Sequence, residues 1–212
     1  MPEAPAGDAP AYWTRARLEL CAADAVLGHV IQSCGEGHLV SRGEPFVTLA
    51  RSIVGQQISV KAAQAVWNRF ALAAGAVTPE RVARMRVSTL QKAGMSMRKA
   101  EYVKDLAARF VTGAVDPSHW PALDDEAVIQ ELVQVRGIGR WTAEMFLMFN
   151  LLRPDVLPLD DVGLMRAVGL HYLDRERPTR AQAAQIAERW RPWRTVATWY
   201  LWRSLDPLPV DY

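Results

Sequence analysis

Residues 137–142, with the sequence GIGRWT, are the first stretch whose residue types and spacing could do chemistry. An apolar, periodic segment runs into them and a second one starts directly after them, which is the pattern of two helices joined by a tight hairpin. The glycines let the backbone turn and leave amide N–H groups bare, and the positive end of the second helix points the same way. We predict a sequence-independent grip on a phosphate backbone, with Arg140 and the Thr142 hydroxyl nearby. The alternative is a tight turn between two helices that binds nothing.

Two adjacent carboxylates, Asp160 and Asp161, follow behind Pro158. Their side chains point in different directions, so one can cap the next helix while the other faces a cleft. A carboxylate in a cleft could stabilise a developing cation or activate a water molecule. The alternative is an N-cap beside a solvated neighbour. Asp160 is expected to be the cap, and spacing alone does not decide which aspartate does chemistry.

Eight tryptophans are the third unusual feature, and four of them are crowded near the C-terminal end: Trp190, Trp193, Trp199 and Trp202. Core packing accounts for at least half of the eight. The others could form a pocket whose aromatic faces stack on an extruded base. An electron-poor or cationic base would gain most, because the face of an aromatic ring is negative.

The elements that must position these residues read as helices almost throughout. Apolar residues recur every three or four positions, and Pro, Gly, Ser and Thr punctuate them, which predicts an all-α protein of about ten helices. The first helix is expected to run without a break over Thr14–Cys34. The second hairpin helix, from Arg140 to about Leu152, is apolar on nearly all sides and should lie centrally.

Composition bounds the function classes. A net charge of +2 and a pI near 8.7 argue against broad electrostatic wrapping of nucleic acid but allow a small, specific contact. Two cysteines and four scattered histidines predict neither a zinc nor an iron–sulfur site, so no cofactor is expected. No apolar run reaches the roughly 20 residues of a membrane span, and no signal peptide opens the chain. We expect a cytoplasmic monomer that acts on the nucleoid, with a disordered, Pro/Ala-rich tail over residues 1–11.

Four segments together resemble a known family. They are ARSIVGQQISVKAA (50–63), LVQVRGIGRWTAEM (132–145), VLPLDDVGLMRAV (156–168) and RPWRTVATWYLW (191–202). In this order they resemble 3-methyladenine DNA glycosylase II, a family of the helix-hairpin-helix DNA glycosylase superfamily. The chain is similar to short members, since it has no room for the extra N-terminal β domain. The resemblance implies one domain over residues 12–212, built of two interleaved helical lobes around the hairpin, with DNA in the cleft between them.

The resemblance also implies a role for each matching residue. Asp161 falls on the catalytic aspartate, which leaves Asp160 as the cap. The other implied positions are the base pocket (Trp141, Met145, Trp202), the wedge that fills the gap left by the flipped nucleotide (Gln57), the phosphate grip (Gly137, Ile138, Gly139, Arg140, Thr142) and a monovalent cation held by backbone carbonyls (Val133, Val135, Ile138).

The implied activity is removal of alkylated bases, of the 3-methyladenine and 7-methylguanine type, from double-stranded DNA. Family members that also cut the strand place a lysine where this chain has Trp141, so a glycosylase without lyase activity is expected. Met145 and Val162 replace aromatic residues of long members and leave the base preference open. Two alternatives remain: a helix-hairpin-helix module that only senses DNA damage, and a glycosylase for deaminated bases such as hypoxanthine.

Overall fold

The computed structural model describes residues 7–205, and every regular element in them is helical, with no strand. The all-α prediction is therefore confirmed. Twelve α-helices, α1 to α12, occur in the described residues, and they span in order Trp13–Ala23, Ala25–Cys34, Pro45–Gly55, Val60–Ala74, Pro79–Arg84, Val87–Lys92, Met97–Thr112, Asp125–Leu132, Arg140–Phe149, Val162–Tyr172, Arg180–Ala187 and Arg194–Leu205. Short 3₁₀ turns cover Trp120–Ala122 and Glu188–Trp190. None of the helices in the described range is long and apolar enough to cross a membrane.

Polar residues set where most helices begin. Ser59, Thr78 and Ser96 each accept a hydrogen bond from a backbone N–H in the first turn of the helix that follows. Thr179 and Gln182 form a complete capping box at the start of α11. Each such cap satisfies amide donors that have no partner inside the helix, which fixes the residue at which the helix starts.

The unbroken first helix was a wrong expectation, because Asp24 ends α1 and caps α2. One carboxylate oxygen of Asp24 accepts from the backbone N–H of Val26 (3.0 Å) and Leu27 (3.1 Å). The other oxygen accepts from the Tyr172 hydroxyl (2.8 Å) and from the Trp190 indole (3.0 Å). A buried carboxylate with four donors is stable only where all of them converge, and this fixes the break between α1 and α2.

The chain divides into two compact units. Within the described residues, unit 2 is residues 42–146. It contains α3 to α8 and the start of α9. In unit 2 the long helix α7 packs against α3, α5 and α6, and α3 packs against α4. Its core includes Phe46, Ile53, Phe70, Leu106 and Leu132. Helix α7 is thus the common support of this unit.

Within the described part of the chain, unit 1 is formed by residues 7–41 and 147–205. In its described part, α12 packs against α2 and α10, and α1 packs against α2. Trp13, Leu27, Val168, Trp190 and Tyr200 are among its buried side chains. Residues 1–6, the larger part of the expected tail, lie outside the described residues.

Candidate active site

The hairpin lies in unit 2, between the end of α8 and the start of α9. Gly137 has φ +88°, a left-handed backbone conformation that side chains rarely tolerate. A Cβ atom at Gly137 would also overlap the ring of Tyr102. This glycine is therefore required by the fold itself, both for its φ angle and for the close approach of an aromatic ring.

Gly139 differs, because nothing in the described part of the chain requires a glycine at this position. Its φ lies outside the left-handed region, and an added Cβ would meet no heavy atom within 4 Å. Its carbonyl accepts the first hydrogen bond of α9, from the N–H of Ala143 (3.0 Å). The amides before Ala143, including those of Gly139 and Thr142, have no acceptor in their own helix and point out of its positive end. A glycine here leaves room for a partner to approach these amides closely.

The residues predicted to contact a phosphate lie around this helix end, but the side chain of Arg140 is already paired with two carboxylates. The Arg140 guanidinium forms a bidentate pair with Glu126 (2.6 and 3.0 Å), and its Nε donates to Glu144 (3.1 Å). The hydrogen bond from Arg140 lowers the pKa of Glu126 to about 2, so both groups are charged. Arg140 therefore connects α8 to α9 in this structure. Thr142 is half-buried in the first turn of α9, and its contact with a phosphate stays a prediction.

Ile138 anchors the hairpin, since its side chain is buried and its N–H donates to the carbonyl of Val135 (3.1 Å). Its amide is therefore used inside the hairpin. The Val135 carbonyl keeps a second lone pair after this bond. Carbonyl oxygens of this kind suit a hard monovalent cation, so the donor set of Val133, Val135 and Ile138 is chemically compatible with the predicted ion.

Trp141 and Met145 are one turn apart on α9, which puts them on the same helix face. Trp141 is half-buried, whereas only 7% of Met145 is exposed. The spacing is consistent with one face of a pocket. The sequence placed both residues in the base pocket, and that assignment stays a prediction.

Gln57 lies in the short connection between α3 and α4, residues 56–59, which we call the wedge loop. Its side chain is exposed and its backbone is left-handed, with φ +58°. A non-glycine residue in this conformation costs about 1 kcal/mol or more and persists only where neighbours hold it. Such a held, projecting residue is suited to insertion into a gap.

In unit 1, Asp161 is the residue before α10, and its carboxylate is almost fully buried, with 4% exposed. Its Oδ1 accepts from the backbone N–H of Leu164 (2.6 Å) and from the indole Nε1–H of Trp202 (2.7 Å). Both bonds are short and directed at the same oxygen, so the carboxylate plane is fixed. Hydrogen bonds to a charged acceptor are about twice as strong as neutral ones, so these two bonds hold the carboxylate firmly.

The expectation that Asp160 caps α10 was wrong. The helix begins at Val162, so the capping position is Asp161, and its extended backbone (ψ 119°) brings the carboxylate over the Leu164 amide. Asp160 lies one residue outside and pairs instead with the guanidinium of Arg180 at the start of α11. Asp161 therefore has the capping position, and its assignment as the catalytic acid stays a prediction.

Trp202 is held between two groups in unit 1. Its ring stacks on Phe149, with centroids 5.9 Å apart and planes 8° from parallel, and only 4% of it is exposed. An added Cβ at Gly163 would lie 3.0 Å from Trp202 Cδ1 and 3.1 Å from Asp161 Oδ1. A methyl group at this helical position would therefore crowd the side chains of Asp161 and Trp202. Val162, which lies between Asp161 and Gly163 in the sequence, is 75% exposed.

The sequence interpretation missed several residues that support these sites. Gly163 carried a usable signal, because a glycine inside a helix costs about 0.5–1 kcal/mol relative to alanine and implies a packing reason. Phe149 was taken as core, and its contact with Trp202 has no local signature. The same holds for Tyr102, which fills the space beside Gly137 from α7.

Comparison with known proteins gives a consistent result. A model of the HhH-GPD superfamily of base excision DNA repair proteins matches residues 50–192. DNA-3-methyladenine glycosylase 1 of Schizosaccharomyces pombe is 34% identical over 201 residues, which covers 90% of this chain and 87% of that protein. DNA-3-methyladenine glycosylase 2 of Escherichia coli is 32% identical over 166 residues, and there the match covers 72% of this chain and 55% of the relative.

Two solved structures are similar over almost the whole chain. The DNA-3-methyladenine glycosidase of Bacillus halodurans has a TM-score of 0.85 at 36% identity, covering 90% of this chain and 89% of that one. The 3-methyladenine DNA glycosylase of Schizosaccharomyces pombe, solved in complex with abasic DNA, has a TM-score of 0.77 at 32% identity. That match covers 92% of this chain and 100% of that one.

Proposed function

The chain belongs to the HhH-GPD superfamily of base excision DNA repair proteins, and we propose that it is a glycosylase that hydrolyses the N-glycosidic bond of alkylated bases in double-stranded DNA. The observation that carries this proposal is the fixed carboxylate of Asp161, held through one oxygen by Leu164 and Trp202. A protein that only senses damaged DNA would need the hairpin but not this buried, oriented acid.

Binding starts at the hairpin. The outward amides at the start of α9 and the open space at Gly139 receive a phosphate of the lesion strand, without reading base sequence. Gln57 enters the gap when the damaged nucleotide leaves the stack, which costs a few kcal/mol of unstacking. The protein contributes this energy through backbone contacts and the filled gap.

Chemistry then takes place at C1′ of the extruded nucleotide. A base alkylated at N3 or N7 is cationic, so it leaves with both electrons of the C1′–N bond and becomes neutral. The sugar becomes oxocarbenium-like, and the negative charge of Asp161 stabilises it. A water oxygen bonds to C1′, its proton passes to the Asp161 carboxylate and on to solvent, and free base and an abasic site remain.

Selectivity for cationic bases has two sources in this proposal. The weakened glycosidic bond needs no strong general acid. The negative ring faces of Trp141 and Trp202 favour a positively charged base, an effect worth about 0.5–2 kcal/mol. Met145 adds a polarisable, adaptable wall that accepts bases of more than one shape.

We propose further that the enzyme lacks lyase activity. Strand cutting through a Schiff base needs a lysine near C1′, and Trp141 stands in the position where such a lysine would lie. The lysines of the chain are Lys61, Lys92, Lys99 and Lys104, and none of them takes the place of Trp141 after the hairpin. Lys99, which lies near the hairpin, has its ammonium bound to the carbonyls of Val54 and Gln56. The carbonyls of Val133, Val135 and Ile138 would hold a monovalent cation, whose charge would strengthen the attraction for the bound phosphate.

Chromatography of the bases that the purified protein releases tests this proposal. Duplexes carrying one 3-methyladenine, 7-methylguanine, hypoxanthine or uracil are compared under the same conditions. Release of the methylated, cationic bases with little release of the neutral ones is expected. Preferential release of hypoxanthine would favour a glycosylase for deaminated bases, and release of none would favour a damage sensor. Borohydride trapping on abasic DNA should give no covalent adduct.

A further inference from the structure

Helix α7 presents three side chains to the wedge loop and the hairpin, all within unit 2. Lys99, Tyr102 and Asp105 follow one another at intervals of three residues and lie along one side of the helix. Lys99 contacts the wedge loop, Tyr102 packs on Gly137, and the Asp105 carboxylate accepts from the backbone N–H of Arg136 (3.0 Å). The two parts predicted to handle DNA thus share one rigid support.

Lys99 makes an unusual set of contacts for a lysine. Its ammonium donates to the carbonyls of Val54 and Gln56, at 2.7 Å each. These carbonyls belong to the end of α3 and its cap, the negative end of the helix, where a positive charge is stabilising. Burial lowers the pKa of this ammonium. The carbonyl of Gln56 is therefore fixed directly before the left-handed Gln57.

Gln56 also joins the wedge loop to the hairpin directly. Its side-chain Nε2 donates to the carbonyl of Gly137 (2.8 Å), across 81 residues of sequence. Gly137 is itself held in place by Tyr102. Lys99 thus holds the main chain of Gln56, and the hairpin holds its side chain. The same three elements line a groove of about 630 Å³ beside Gln57.

We propose that Gln56 and Lys99 are positioning residues that hold the wedge loop in its inserting conformation and couple it to the phosphate-binding hairpin. The inference rests on the proposed function, because it assigns Gln57 as the wedge. Gripping the backbone then places the wedge at the gap without a separate ordering step. Preorganisation of this kind lowers the entropy cost of extruding the base.

Methionine replacements at these two positions test the proposal, because they keep the side-chain length and remove the hydrogen bonds. The matched control for Lys99→Met is Lys104→Met. Lys104 lies on the same helix and also donates to two carbonyls, those of Ala83 and Met85 (2.6 Å each), but at the end of α5. Gln91→Met, at an exposed position on α6, is the control for Gln56→Met.

The first readout is 2-aminopurine fluorescence in a duplex where this base neighbours an abasic-site analogue. Wild-type protein at saturation should raise the fluorescence by unstacking the probe, and Lys99→Met and Gln56→Met should lose most of that rise while both controls keep it. The second readout is single-turnover release of 7-methylguanine. Lys99→Met and Gln56→Met should each slow release roughly tenfold from a duplex in which the lesion is paired. Where the lesion faces an abasic site and is already unpaired, each should slow release less than about threefold.

The proposal is overturned by equal losses on paired and unpaired lesions, by an equal loss in Lys104→Met, or by unchanged fluorescence in both variants. Thermal unfolding identifies a variant that does not fold. If Lys99→Met does not fold, the result for Gln56→Met, which alters a side chain at the edge of the groove, decides whether the proposal holds. The fluorescence readout requires no base release. A wild-type protein that releases no base would therefore refute the glycosylase function, while the fluorescence comparison would still decide the role of Gln56 and Lys99.

Discussion

Trp202→Phe separates two contacts of the indole in unit 1, the stacking on Phe149 and the hydrogen bond to Asp161. Phenylalanine keeps an aromatic ring to stack on Phe149 but has no N–H to donate to Asp161. The carboxylate keeps the hydrogen bond from the Leu164 amide, so the cap of α10 remains. What is lost is one of the donors that fix the plane of the carboxylate.

The size of the effect follows from the geometry. A buried hydrogen bond to a charged group contributes about 1.5–3 kcal/mol, and the 2.7 Å distance belongs to a strong bond. If this energy maintains the orientation that the transition state needs, its loss slows the chemical step by about 10- to 150-fold, at 1.36 kcal/mol for each factor of ten. Binding of DNA should change little, because the hairpin is untouched.

Single-turnover release of 7-methylguanine from a duplex, with protein in excess, measures this step directly. The control is Trp199→Phe on the same helix, where the indole packs edge-on against Trp13 and Tyr200. We expect slow release in Trp202→Phe and near-normal release in Trp199→Phe, with equal affinity of both for DNA that contains an abasic-site analogue. Release by Trp202→Phe within twofold of wild type would refute the role given to the indole.

Four other substitutions test separate parts of the structure. Gly139→Ala should fold normally but weaken DNA binding by about tenfold or more and flatten its salt dependence. Gly137→Ala should lose at least about 2 kcal/mol of stability because of its φ angle and the Tyr102 ring. Equal melting temperatures of the two variants would contradict this contrast. Gly163→Ala should preserve or raise the melting temperature, since alanine favours helix, yet slow base release by crowding Asp161 and Trp202; unchanged release would contradict this. Burial tends to raise the pKa of Asp105, but hydrogen bonds from Arg136 and Arg109 outweigh it and hold the pKa below its usual value. Its contribution to stability is present above about pH 3.9 and is lost as the pH falls through the lowered pKa, so Asp105→Asn should lower the melting temperature at pH 7 and by less near pH 2.5.

Periodicity and short motifs predicted the helical class and the position of the hairpin. Apolar spacing is a local property, and the Gly-Ile-Gly turn needs only the residues around it. The second hairpin helix does begin at Arg140, although it ends at Phe149, earlier than expected. Serine and threonine caps have the same local basis, since the cap hydroxyl and the backbone N–H that donates to it lie within one turn.

The register of the cap at α10 was not predictable in this way. Asp160 and Asp161 are equally good N-cap residues by type. Which of them becomes the cap shifts the start of the helix by one residue, and this depends on the side chains that pack next to it. Here Trp202, far along the chain, donates to Asp161, and Arg180 pairs with Asp160. The different positions of the two carboxylates therefore follow from these long-range partners and not from their own sequence context.

The support of the wedge loop was missed for a similar reason. Nothing around Gln56 indicates that its side chain reaches Gly137, and Lys99 looks like any surface lysine in an amphipathic helix. Aspartate in the middle of an apolar pattern, as at Asp24, did carry a signal, because aspartate favours caps over helix interiors. That signal predicts a break where continuous periodicity predicts one long helix.

Release of 7-methylguanine by Asp161→Asn, with Asp160→Asn as the matched control, tests the central claim most directly. Asparagine keeps an oxygen that can accept from Leu164 and Trp202, so the fold and DNA binding should be preserved while the negative charge is lost. We predict a fall in the single-turnover rate of at least about a hundredfold for Asp161→Asn and a rate near wild type for Asp160→Asn. Near-normal release by Asp161→Asn, or an equal loss in both variants, would contradict the assignment of Asp161 as the catalytic acid.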